Sequence, residues 1–179
     1  MNETLIGGKW EVGIGNVLIP AKLLGDITIN YAEGVMEANT QAGVRRQPSG
    51  MPETAEATLN IFIPNAQDDS TDYLKVVFGV SQDDPLWLGG GSCTVQGSRP
   101  INIHPVCNVK DGKDDFHIPA GLVLIQLNPT LSTSDLLNVE VTIQMQPTTN
   151  GYLLKGYPDK ANPTYWDVET QAWVSVPTP

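Results

Sequence analysis

The most regular stretch of the chain lies near its C-terminal third. Every odd position from Val139 to Met145 is apolar and every even position from Glu140 to Gln146 is polar. A period of two predicts a strand with one face buried and the other wet. The same alternation runs through 25–31, with Ile27, Ile29 and Tyr31 on one side and Asp26, Thr28 and Asn30 on the other. It recurs in 56–63, where Leu59, Ile61 and Ile63 oppose Thr58 and Asn60. These last two segments are expected to pair antiparallel. Between them, residues 33–51 hold Gly34, Gly43, Pro48 and Gly50 and keep no period. A structureless connection longer than ~12–15 residues is uncommon unless it has a job, so 33–51 is read as a functional loop.

The remaining pattern fills in a single domain over 1–179. Residues 1–12 read as an N-terminal arm in which Trp10-Glu11-Val12 opens a strand, followed by a short apolar piece, Val17-Leu18-Ile19. One helix is predicted: Asp68-Asp69-Ser70-Thr71-Asp72 offers N-caps, Tyr73, Leu74, Val77 and Phe78 form a narrow apolar stripe, and Gly79 suits the C-terminal stop. Thr94-Val95-Gln96 and Ile101-Asn102-Ile103 are short strands that Pro100 and Pro105 push toward an edge. Gly121-Leu122-Val123-Leu124-Ile125-Gln126-Leu127, apolar on both faces, predicts a central strand covered on both sides. Residues 158–179 read as a C-terminal extension whose hairpin, Tyr165–Val174, is closed by Trp166 and Trp173.

Composition agrees with strands and turns: 179 residues, 17% charged, with Gly 17 and Pro 14. The formal charge of −10 disfavours a nucleic-acid grip, which needs a basic surface to neutralise phosphates. It does not exclude a protein that stays near DNA without holding it. No basic start and apolar run of a signal peptide is present, and the longest aliphatic run is far short of the ~20 residues that span a bilayer. The expectation is a chain made in a cytosol and soluble before it assembles, with no membrane partner.

Catalytic chemistry finds little support. Gly91-Ser92-Cys93 lacks the second glycine of a nucleophile elbow, and Gly7-Gly8-Lys9 lacks the upstream glycine and Ser/Thr of a phosphate loop. Gly13-Ile14-Gly15 has no third glycine in place, and a triad would have to use His104 or His117, the only histidines. Cys93, His104, Cys107 and His117 suit zinc in donor type, but no paired C-x-x-C supports it; buried thiols and surface imidazoles are the plainer reading. A Cys93–Cys107 disulfide would need an oxidising medium. Asp111-Gly112-Lys113-Asp114-Asp115 departs from EF-hand spacing and reads as a solvated turn. The expectation is no enzyme, no metal and no cofactor.

The order of features resembles the major tail tube protein of long-tailed bacteriophages and, more distantly, the type VI secretion tube protein. The resemblance rests on an N-terminal strand, Leu24-Gly25-Asp26-Ile27-Thr28-Ile29-Asn30-Tyr31, the long loop, Pro52-Glu53-Thr54-Ala55-Glu56-Ala57-Thr58-Leu59 and the capped helix, covering roughly 1–146. It implies a mainly β fold, an antiparallel β-sandwich or half-barrel with one flanking α-helix and a long extended hairpin loop. It implies homohexameric rings stacked into a virion tail tube, assembled in the bacterial host cytoplasm with tape-measure and other tail proteins. Double-stranded DNA would pass through during ejection without specific binding. Lumen-lining residues would be Asp26, Thr28, Asn30, Thr58, Asn60, Glu140, Thr142, Gln144 and Gln146, a wall without lysine or arginine. Inter-ring contacts would come from Glu33, Glu37, Arg45 and Arg46, the last two being two of only three arginines. The alternatives are another virion component, such as a tail-completion or head-decoration protein, and a carbohydrate- or metal-binding β-sandwich with Trp87, Trp166 and Trp173 as sugar platforms. A hydrolase has the least support.

Overall fold

The computed structural model describes residues 9–63, 71–86, 97–106, 111–127 and 137–176. The fold is mainly β and antiparallel, with one short α-helix among the described residues. Its strands are β1 (Trp10–Ile14), β2 (Val17–Ile19), β3 (Leu24–Thr40), β4 (Gly43–Ile63), β5 (Arg99–Pro105), β6 (Phe116–Leu127), β7 (Leu137–Met145), β8 (Leu154–Lys155), β9 (Thr164–Asp167) and β10 (Ala172–Ser175), with α1 at Tyr73–Phe78. The main sheet runs β2-β1-β5-β6-β7-β4-β3, with β8 attached to β6, and β9–β10 form a separate two-stranded sheet.

Period-two residues build the core from one face of this sheet. Val12 and Ile14, Ile101 and Ile103, Ile118 and Val123, Val139 to Ile143, and Ala57 to Ile63 join one cluster with Val77 of α1. The sheet curls around that cluster as a half-barrel. Its far edge, β3, comes back to face Trp10 and Phe116 across a cleft of about 770 Å³ whose apolar lining includes Ile27, Ile29 and Ile103. Burying these aliphatic side chains supplies the main stabilising term, about 1.5–3 kcal/mol each.

The helix follows its sequence signals. The Asp72 carboxylate accepts from the backbone N–H groups of Leu74 and Lys75, and Gly79 ends the helix with φ 69°. Its buried residues are Val76 and Val77 rather than the whole expected stripe. Arg99 of β5 then donates from Nη1 to the Val76 carbonyl at 2.8 Å, which also accepts from the Gly79 N–H, and from Nη2 to the Val77 carbonyl at the helix end. Arg99→Met should cost about 2 kcal/mol in urea unfolding, since both bonds are charge-assisted. A loss below about 0.5 kcal/mol would show that Arg99 is not the strut for α1.

Three expectations need correction. Residues 33–51 are not a loop: β3 and β4 stay paired out to Thr40 opposite Gly43. Strand β5 is internal, between β1 and β6. Its prolines are accommodated because Pro100 falls at a register shift against β6 and Pro105 is the terminal residue. Strand β6 is central, but its second half is covered on one face only: Val123 is buried whereas Leu124 is 42% exposed. The strand expected to open at Trp10-Glu11-Val12 is β1, which pairs with β5. Cys93, Cys107, Trp87 and Thr94-Val95-Gln96 lie outside the described residues.

Candidate functional site

The face of the sheet opposite the core divides into two halves of different character. Over β3, β4, β7 and the second half of β6 it is open and polar. Register aligns the side chains into rows. Asn30 pairs with Glu56, Glu56 with Gln144 and Gln144 with Leu122; Thr28, Thr58, Thr142 and Leu124 form the next row; Asn60, Glu140 and Gln126 form the third. Asp26 sits exposed beside the β-bulge between Leu24 and Ile27. Gln146 falls one residue beyond β7, where its backbone N–H donates to the Ala120 carbonyl at 2.7 Å. The fold thus brings eight of the nine candidate lining residues onto one surface, with Gln146 at its border. Segments 24–33, 52–63, 116–127 and 137–145 hold no lysine or arginine. Because α1 packs into the core cluster on the other side, this face carries no helix over it among the described residues.

Sequence reasoning missed Glu56, Leu122, Leu124 and Gln126 on the same face. Glu56 was legible from its parity with Thr58 and Asn60. The two leucines were not, because an apolar run hides which side each residue takes.

The β3–β4 hairpin continues past the sheet as a two-stranded arm. Between Glu33–Pro52 and Val35–Pro48, Gly34 alone opposes Ser49, Gly50 and Met51, so β4 bulges there. A side chain at position 34 would put its Cβ 2.5 Å from the Met51 carbonyl and 2.6 Å from Ser49 Oγ, which only glycine avoids. Beyond the bulge the arm exposes Val35 (61%), Met36 and Val44. Glu37 and Arg46, both expected to meet a neighbour, face one another across the arm with Nε–Oε1 at 2.6 Å. An exposed pair like this is worth only about 0–1 kcal/mol, so it leaves both groups open to exchange. Arg45 pairs in register with Ala38, and Glu33 stands exposed at the bulge.

At the β1–β5–β6 end the same sheet face is covered by the β9–β10 hairpin. Val168 presses against Gly13, where an added Cβ would lie 2.6 Å from its Cγ2. Beneath the hairpin is a buried polar network that the sequence did not disclose. Asn102 Nδ2 donates to Asp115 Oδ2 at 3.1 Å, His104 Nδ1 lies 2.6 Å from Asp115 Oδ1, and His117 Nδ1 lies 3.3 Å from Asn102 Oδ1. Trp166 and Trp173, opposite one another in register, close over His117 at ring-centroid distances of 4.4 and 4.9 Å. Burial pushes the His117 imidazole down to about 4, against a raising pull from Asp115. Asp115 is therefore turned inward and is not part of a solvated turn, while Asp111 accepts from the Lys113 N–H at 3.0 Å. His104 and His117, two of the candidate zinc ligands, are engaged in this network.

No protein-family model matches the chain, and no curated protein matches it. Among solved structures the chain is similar to the sheath/tube terminator of PVC, an extracellular contractile injection system, in its extended state. That likeness has 12% identity and a TM-score of 0.50, over 82% of this chain and 93% of that one. It is also similar to a chain of the PVC sheath-tube complex in its extended state, at 12% identity and a TM-score of 0.51, over 87% and 94%. The tube-terminating cap of the anti-feeding prophage aligns at 10% identity with a TM-score of 0.49, over 82% and 86%. What the chain shares with the first two is its fold, a curled antiparallel sheet also present in tube-associated components of a contractile injection system.

Proposed function

We propose that the protein is a structural subunit of a tail or injection tube, forming homohexameric rings that stack around a bore. The carrying observation is the open sheet face on which Asn30–Glu56–Gln144, Thr28–Thr58–Thr142 and Asn60–Glu140 align, with no lysine or arginine in segments 24–33, 52–63 and 137–145. In a ring this face would line the lumen. DNA carries one charge per ~1.7 Å of axis, and each basic contact would have to break as it slides. A wall of short polar groups with Asp26, Glu56 and Glu140 avoids that drag, its repulsion reaching about a Debye length, ~8 Å at physiological salt. The outer edge of β3, which has no strand partner among the described residues, and the cleft beside it would take part in ring closure. The β3–β4 arm, with Glu33, Glu37, Arg45 and Arg46, would reach the adjacent ring. Tape-measure and other tail proteins would be its partners, in a particle assembled in the bacterial host cytoplasm.

Likeness to a tube terminator favours a second reading of the same class, a single ring that closes a tube. Negative-stain imaging of the purified chain at high concentration separates the two. Stacked rings with a central hole support the tube subunit, whereas single rings that bind tube ends support the terminator. Dispersed monomers under all conditions, even with a tail initiator supplied, overturn both. The lumen assignment has its own test. Thr142→Lys with Gln144→Lys should leave tubes intact yet slow DNA release from particles, and unchanged release kinetics would count against it.

A further inference from the structure

The tube reading makes no use of the C-terminal hairpin, yet its two tryptophans do more than cover the buried network. Together with the Thr148–Gly151 turn they frame a cleft of about 660 Å³, inside the ~300–1,000 Å³ range of small-ligand sites. In a chain of net charge −10, the lining of this cleft holds no Asp, Glu, Lys or Arg. We propose that this cleft binds an uncharged sugar, stacked on Trp166 and Trp173 and hydrogen-bonded by Thr149 and Asn150.

Each part of the lining fits that chemistry. The indoles are half-buried and both line the cleft, where an apolar sugar face can rest against them. A hydroxyl and a carboxamide both donate and accept, as the hydroxyls of a sugar do. The turn that presents them is rigid: Thr148 Oγ1 donates to the Gly151 carbonyl at 2.6 Å, and the two residues exchange backbone bonds at 3.2 and 3.1 Å. Thr149 and Asn150 take no part in holding it and are exposed. The tryptophans are fixed from below by His117, so the site is formed before a ligand arrives. Phosphates and carboxylates find no Arg or Lys to pair with in this lining.

The full chain should be applied to an array carrying hexose- and N-acetylhexosamine-terminated neutral oligosaccharides beside sialylated and phosphorylated ones. Free neutral monosaccharides should be titrated in parallel while tryptophan emission is followed. The expected result is retention on neutral glycans and a saturable shift in emission at millimolar sugar or below. Competition by free monosaccharide marks a site for a single unit, and its absence marks one for a longer chain; both support a neutral sugar site. Thr149→Ala with Asn150→Ala should weaken binding about tenfold or more with near-ultraviolet dichroism unchanged. Retention confined to charged glycans, no neutral retention with unmoved emission, or equal binding by the double variant would each overturn the proposal.

Discussion

Replacing residues 34–51 by an Asn-Gly turn should leave the subunit folded and abolish ring stacking. The cut joins Glu33 to Pro52, which already oppose one another, and Asn-Gly is a favoured two-residue hairpin link. The excised arm lies outside the core cluster, and its residues from Val35 to Pro48 are all exposed. Exposed loop and hairpin tips of that kind are where changes of chain length are best tolerated. Under the proposed reading the same excision removes the whole inter-ring contact, so single rings should replace tubes in negative-stain images. Tubes of normal length from the shortened chain would refute the role assigned to the arm. A shortened chain that fails to melt cooperatively would instead show that the arm belongs to the folding unit.

Acidification should loosen the β9–β10 hairpin, and His117 should be the cause. In the fold its imidazole is held neutral, with a pKa of about 4, whereas the unfolded value is about 6.5. Between those values the unfolded chain binds a proton that the folded chain refuses. The stabilisation is thus complete above pH ~6.5 and fades as pH falls toward 4, by about 3 kcal/mol in all. Near-ultraviolet dichroism should report it directly, because Trp166 and Trp173 pack against one another over the ring. His117→Gln retains a partner for Asn102 but cannot titrate, so its stability should stay nearly level across that interval. Identical acid profiles for the two proteins would remove His117 from the account.

How far the sequence could be read depended on where one face of a strand was buried. Ile27 and Ile29, Leu59 to Ile63, and Val139 to Met145 alternate because each odd position meets the core, and there the polar face was legible, as was the pairing of the first two segments. Beyond Glu33 and Pro52 neither side of the hairpin is covered, so nothing imposes alternation and paired strands looked like loop. Prolines misled at β5, since a bulge and a strand end both excuse the missing N–H. The network under the hairpin was invisible for a different reason. Asn102, Asp115 and His117 gain meaning only when Trp166 and Trp173, distant in sequence, are folded onto them. Short-range patterns carry no trace of such a closure.

The uncovered ribbon beyond Gly34 also bears on timing. Two strands with no face against a core are marginal by themselves in water. A free subunit would therefore spend part of its time with the ribbon unzipped, and a surface gripping both strands at once would trap the zipped form. Under the proposed reading, two free subunits would meet with both ribbons unready, while an existing ring would offer a finished seat. Growth from a seed would then outpace spontaneous nucleation, and a pool of subunits would wait until an initiator appeared.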